Sequence, residues 1–152
     1  AGTNCAGGSD GTPSVVTATA TSVRFTYDFQ NTSGSTSTPD GLCNGPDEDI
    51  TYTFETTGCP TGFGDITRNG SGNPLTNCNV PDVNGQRIDL RYFKQDGTEL
   101  ARPVVLAADL ASIQRVLISL TVQSKHPDTE FGGQLTATMT SNADLRNRGL
   151  PS

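Results

Sequence analysis

Residues 22–29, Ser-Val-Arg-Phe-Thr-Tyr-Asp-Phe, alternate polar and apolar positions without a break, which sets Val23, Phe25, Tyr27 and Phe29 on one face. Strict period-two alternation marks a strand with one buried and one wet face. A β-branched run at 15–19 precedes it. Residues 49–56 repeat the pattern, with Ile50, Tyr52 and Phe54 against Thr51, Thr53 and Glu55. A Gly58-Cys59-Pro60-Thr61-Gly62 turn region then leads into 63–68, and Asn69-Gly70 is a strong turn signal. Residues 87–94 align Ile88, Leu90 and Tyr92 before Gln95-Asp96-Gly97 turns the chain. Residues 113–123 align Val116, Ile118, Leu120 and Val122, and 133–147 set Leu135, Ala137 and Met139 against Thr136, Thr138 and Thr140. The single short helix candidate is the Ala- and Leu-rich stretch 105–112.

Five alternating strands with threonine on the outer face predict a mainly β chain of antiparallel sheets, packed on one side and solvated on the other. A length of 152 residues predicts one domain spanning 1–152. Residues 1–14 read as an irregular Gly/Ser/Asn-rich segment. Residues 30–48 read as a long polar loop without periodicity, and such a loop in a small domain is either functional or mobile. Two sheets facing each other would cover the apolar faces. A long helix lying across one sheet would do so too, but no stretch of this chain has that pattern.

Composition narrows the class. Only 32% of residues are hydrophobic and 17% are charged, with no Trp, so neutral polar residues dominate. Disorder normally couples low hydrophobicity to high net charge, whereas −6 is mild; a Thr- and Gly-rich, weakly charged chain fits an exported β-protein. The longest apolar run, Val104 to Ala108, falls far short of the roughly 20 residues of a membrane helix. No basic-then-apolar segment at the N-terminus has the pattern of a signal peptide. An excess of 16 acidic over 10 basic residues argues against a nucleic-acid partner. One histidine and no Cys-x-x-Cys leave zinc without ligands at usable spacing.

Cys5, Cys43, Cys59 and Cys78 form an even set, which reads as two disulfides formed in an oxidising compartment. Four cysteines allow three pairings. Cys59–Cys78 with Cys5–Cys43 is favoured, because each bond then pins a Gly/Asn/Pro segment beside a strand. None of the four has a base or cation beside it in sequence that would make a reactive thiol.

Other candidate sites each carry a simpler reading. Asp40, Asp47 and Asp49 lie in an acidic loop whose oxygens would suit Ca²⁺, although the spacing is not an EF-hand; a solvated turn capping a strand explains the same residues. His126 lies between Ser124 and Asp128, but neighbours in a turn do not make a triad, and an exposed loop histidine accounts for it. The pairs Asp47/Glu48 and Asp82/Asp89 are formal glycosidase carboxylates, without the tryptophan platform common in sugar clefts. Asn31-Thr32-Ser33 and Asn69-Gly70-Ser71 match the short glycosylation pattern. The tail at 144–148 reads as a charged, blunted strand edge.

The order of elements carries a further signal. Val16-Thr17-Ala18-Thr19-Ala20-Thr21-Ser22-Val23-Arg24-Phe25-Thr26 is followed by a polar Gly/Asp loop and by Asp49-Ile50-Thr51-Tyr52-Thr53-Phe54. Next come Ile66-Thr67-Arg68-Asn69-Gly70 with Asn73-Pro74-Leu75, then Ile88-Asp89-Leu90-Arg91-Tyr92-Phe93. Leu110 to Arg115 leads into Val116 to Val122, and the chain closes on Asp144-Leu145-Arg146-Asn147-Arg148-Gly149. Across most of residues 15–149 this order and spacing resembles the globular region of bacterial minor pilins of the PilW type, related to the J-type pseudopilins of type II secretion.

The resemblance implies a non-catalytic assembly subunit of a type IV pilus or secretion pseudopilus, located in the periplasm or in a surface filament. It implies an α+β head once the family's N-terminal helix is counted, and that helix would be the link to the membrane. It also implies as partners other pilin or pseudopilin subunits, or a separate pilin helix. An apolar groove of Val23, Phe25, Ile50, Tyr52, Leu90 and Ile118 would receive the helix. The competing expectation is an exported β-sandwich binding module that recognises a surface glycan or protein; a secreted hydrolase is third.

Overall fold

A computed structural model describes residues 14–27, 43, 48–70, 72–82, 87–130 and 132–145. The elements run β1 (Ser14–Ala18), β2 (Ser22–Thr26), β3 (Asp49–Glu55), β4 (Phe63–Arg68), β5 (Val80–Pro81), β6 (Ile88–Phe93), α1 (Ala107–Ser112), β7 (Arg115–Gln123) and β8 (Thr136–Asp144). They form a five-stranded sheet in the order β1-β2-β3-β4-β5 and a three-stranded sheet in the order β6-β7-β8. All the neighbouring strands are antiparallel. The chain is mainly β, as its alternation predicts.

Register explains why the alternation works. Residues directly opposite each other in a sheet share a face. In the first sheet Val15 lies opposite Phe25, which lies opposite Ile50. Ala18 lies opposite Val23, Val23 opposite Tyr52, and Phe54 opposite Ile66. The apolar positions therefore merge into one continuous face. In the second sheet Tyr92–Val116–Ala143, Leu90–Ile118–Ser141 and Ile88–Leu120–Met139 form equivalent rows.

The two sheets cover one another in part. Eleven buried apolar residues make one core, drawn from β1 (Val15, Ala18), β4 (Ile66), β5 (Val80), β6 (Ile88, Leu90, Tyr92), β7 (Val116) and the connection through Leu100, Val104 and Ile113. Tyr92, fully buried, ties the layers together. Its Oη lies 2.8 Å from the carbonyl of Thr19 in the β1–β2 turn and 3.1 Å from that of Ser22, where β2 begins. Burial pushes its phenol well above the ordinary tyrosine value, so the hydroxyl keeps its proton to donate. Backbone bonds add to this, from Leu90 N to Ala20 O at 2.9 Å and from Gln123 N to Asn79 O at 2.8 Å.

Where the strands differ from the alternation pattern, local geometry gives the reason. Among the described residues there are eight strands rather than five. β1 carries an irregularity between Val15 and Thr17 that breaks the period-two signal. β5 is two residues long, too short to alternate. β2 ends at Thr26, and Asp28 and Phe29 lie outside the described residues. The helix forms within the expected stretch as six residues, with Val105 and Leu106 ahead of it left exposed.

The stretch after β4 folds back on that strand. Leu75 N donates to Ile66 O, and Cys59 is disulfide-bonded to Cys78 with their Cα atoms 5.4 Å apart. Gly64 sits where the Phe54 ring crosses β4, and a Cβ there would meet that ring and lie 2.6 Å from the Glu55 carbonyl. Backbone cannot yield as a flexible side chain can. Gly64→Ala is expected to lower stability by about 1–3 kcal/mol, measured as a lower urea midpoint at unchanged slope.

Candidate functional site

The six groove candidates fall into two clusters, one on each sheet. Val23 pairs with Tyr52 and Phe25 with Ile50, and the Phe25 and Tyr52 rings lie with centroids 6.1 Å apart. Phe25, Ile50 and Tyr52 are half-buried, and Val23 packs against the core. Leu90 pairs with Ile118 on the second sheet. Leu90 is only 2% exposed and so cannot line an open groove, because the first sheet already covers it. Ile118 is partly buried at the core's margin.

Cover on the apolar face of the second sheet fades from β6 to β8. Tyr92 and Val116 are buried, Ile118, Leu120 and Val122 are half-buried, and Met139 is 56% exposed. Every residue of β8 is exposed. Met139 lies directly opposite Leu120, and Ala137 opposite Val122, so the open strip continues the core's own face. The opposite face of the same strands is a hydroxyl ladder, with Thr121 and Thr138 oxygens 2.9 Å apart and Ser119 and Thr140 oxygens 3.3 Å apart. Of this face of β7 and β8, only Ile118 was among the groove candidates; Ala137 and Met139 were not. Its signal, Ala137 and Met139 alternating with threonines, has the same form as that of a strand covered by its own chain.

The candidate chemical groups are engaged in structural bonds. Of the calcium candidates, Asp40 and Asp47 lie outside the described residues. Asp49 accepts two hydrogen bonds from the Arg24 guanidinium, at 2.8 and 2.7 Å. Those bonds hold its carboxyl below the ordinary aspartate value, against a smaller opposing push from partial burial. A carboxylate so neutralised is a poor calcium ligand. Asp82 is ion-paired with Arg87 at 3.0 Å and Asp89 with Arg102, so each of these two carboxylates has its own arginine. Glu48 is 1% exposed and Asp47 lies outside the described residues.

His126 is exposed in its turn. Ser124 Oγ donates to the backbone carbonyl of His126 at 2.9 Å and accepts from Leu135 N at 3.0 Å, which commits the hydroxyl to turn structure. Asn69 has φ of 56°, and its side chain clasps β3, accepting from Thr51 N at 2.7 Å and donating to Asp49 O at 3.2 Å. A glycan on that nitrogen would disturb the clasp; Asn31 lies outside the described residues.

Cys59, Asp65 and Cys78 form the one cluster of metal-ligating residue types among the described residues. Both sulfurs are in the disulfide and offer no thiolate. Asp65 Oδ2 lies 4.0 and 3.7 Å from the two sulfurs, while Oδ1 accepts from Thr76 N at 3.0 Å and Thr76 Oγ1 at 2.6 Å. Thr76 Oγ1 in turn accepts from Ile66 N at 2.9 Å, so the cluster fastens the loop to β4. Cys43 is also disulfide-bonded, and its expected partner Cys5 lies outside the described residues.

Two open hollows lie on the described surface. One of about 460 Å³ is lined by Lys94, Gln95, Asp96, Ser112 and Gln114, and another of about 380 Å³ by Glu99, Leu100, Ala101 and Arg102. Neither has the apolar, aromatic lining usual in a small-molecule pocket. Among the described residues, no helix is long and apolar enough to cross a membrane. Comparison with family models, curated proteins and solved structures finds no match to this chain. Among the described residues, the apolar face of the second sheet loses its cover from β7 to Met139 on β8.

The Arg24–Asp49 pair sets a pH dependence. Its folded-state carboxyl is depressed, so its stabilisation is complete above the unfolded value of about 3.9 and is lost as the pH falls below it. Both side chains are partly exposed, so Asp49→Asn is expected to cost less than about 1 kcal/mol at neutral pH. Thermal melts at a series of pH values should show the gap between wild type and variant closing in acid.

Proposed function

We propose that this chain is a non-catalytic assembly subunit: the head of a type IV filament protein, a minor pilin or pseudopilin, acting through contacts with other pilin subunits. The observation that carries the reading is the fading cover along the second sheet. One apolar face is roofed by the first sheet at Tyr92 and Val116, is half-covered at Ile118 and Leu120 on the core's margin, and lies open at Met139. Strands built to this pattern suit cover by an apolar rod, and in the family that this sequence resembles a helix lies on the sheet in that way. The Cys59–Cys78 disulfide fits maturation outside the cytoplasm, in the periplasm or on a surface filament. Contacts of this kind need no bond-making chemistry.

A second reading, the exported β-sandwich binding module, is favoured by the core itself. Eleven buried residues from both sheets pack together without a helix from elsewhere. The two readings separate on whether the open strip is used. The native gene product, expressed in a bacterium that assembles type IV filaments, is expected in the sheared filament fraction. Met139→Glu, on an exposed side chain, is expected to leave the urea midpoint unchanged and to reduce incorporation by about tenfold, the effect of roughly 1.4 kcal/mol. Absence from filaments, together with glycan or protein binding that Met139→Glu leaves intact, would establish the binding module instead.

A further inference from the structure

We propose that β8 pairs antiparallel with β8 of a second copy of this chain, about a two-fold axis through Thr140. The proposal concerns the edge of the second sheet and stands apart from the use of its apolar face.

An open strand edge offers a row of unpaired backbone groups to any strand that fits, and folded chains normally blunt such edges. The other edges described here are blunted. β1 is five residues long with an irregular register, and Val104 N donates to Ala18 O at its end. β5 is two residues ending in Pro81. The outer edge of β6 is taken up by Leu90 N bonding to Ala20 O and Leu100 N bonding to Tyr92 O. β8 has none of these devices. It is nine residues long, exposed throughout, and has no Pro, Lys or Arg.

The hydrogen-bond parity of β8 is determined at both ends. Ser124 N donates to Leu135 O, and Leu145 N donates to Gln114 O. Odd-numbered residues therefore turn their backbone groups to β7. Even-numbered ones, from Thr136 to Asp144, turn theirs outward.

The strand TATMTSNAD complements itself when reversed about its centre. Thr140 then faces its own copy, Thr138 faces Asn142, and Thr136 faces Asp144. Every outward residue meets an outward residue, so the pairing forms roughly ten backbone hydrogen bonds. The only charge in the strand, Asp144, meets a threonine and not its own copy. Ala137 faces Ala143 and Met139 faces Ser141 on the other side. Such an interface is isologous and closes as a dimer, giving a continuous six-stranded sheet.

The test is solution mass by light scattering, together with cross-linking. Wild type is expected to run at twice the monomer mass as concentration rises. Thr140→Pro removes an outward N–H that β7 does not use, so it is expected to stay folded by circular dichroism and to run as a monomer. Thr140→Lys, which sets like charges across the axis, gives a second route to the same result should the proline disturb the strand. Thr140→Cys is expected to cross-link to its own copy on a non-reducing gel, since facing residues there lie within disulfide reach, and Thr136→Cys is not. The proposal is overturned by a wild type that is monomeric at every concentration. It is equally overturned by a dimer that survives both substitutions at Thr140, or by cross-linking that is as strong at residue 136 as at 140.

Discussion

The contact on which the remaining architecture depends is the insertion of β6 beneath the β1–β2 turn. Tyr92 carries a large apolar ring and one hydroxyl, and both are used. The ring sits with Leu90, Ile113 and Val116 in the shared core, while the hydroxyl meets the carbonyls of Thr19 and Ser22. An unpartnered phenol at that depth would cost about 1–3 kcal/mol, so the site is viable only with the turn in place. The turn is prepared for this by Thr19, whose Oγ1 accepts from Ser22 N at 2.9 Å and holds the chain reversal. Leu90 N bonding to Ala20 O adds a backbone link beside it.

That docking divides the apolar surface unequally. The face of the second sheet is consumed from the β6 side, where Ile88, Leu90 and Tyr92 are buried. Two strands away, the same face is bare on β8. The chain thus has a core that is complete enough to fold and a strip of similar chemistry that is left uncovered. The charged groups reinforce this division. Ion pairs among the described residues, including Arg24–Asp49, Arg91–Glu99 and Lys94–Asp109, lie on partly exposed positions outside the open strip. Surface pairs of this kind add little stability, but they keep those faces solvated and leave one uncharged strip and one edge whose single charge is the terminal Asp144.

Much of the fold could be read from alternation, because a half-buried strand writes its period into its side chains. The expected strands at 49–56, 87–94 and 113–123 closely match β3, β6 and β7, and the helix lies where Ala and Leu gather. The Cys59–Cys78 bond followed from two cysteines flanking one turn-rich segment. What stayed hidden was long-range. Alternation says that one face of a strand is apolar, not what covers it. Leu90 and Met139 carry the same signal, yet one lies inside and the other outside. Asp49 looked available because its partner Arg24 is distant in sequence and becomes its neighbour only when β2 pairs with β3. β1 and β5 escaped because an irregular register and a length of two residues erase the period.

The claim at the centre is that the two sheets fold as one unit through the Tyr92 contact. Native-state hydrogen exchange read by residue tests it most directly, at the amides that cross between the sheets: Leu90, bonded to Ala20, and Gln123, bonded to Asn79. If the claim holds, both exchange only through global unfolding, with the same opening free energy as the most protected amides of β3 and β4. Fast exchange at Leu90 and Gln123 while β3 and β4 remain protected would mean that the second sheet opens independently, and would contradict it.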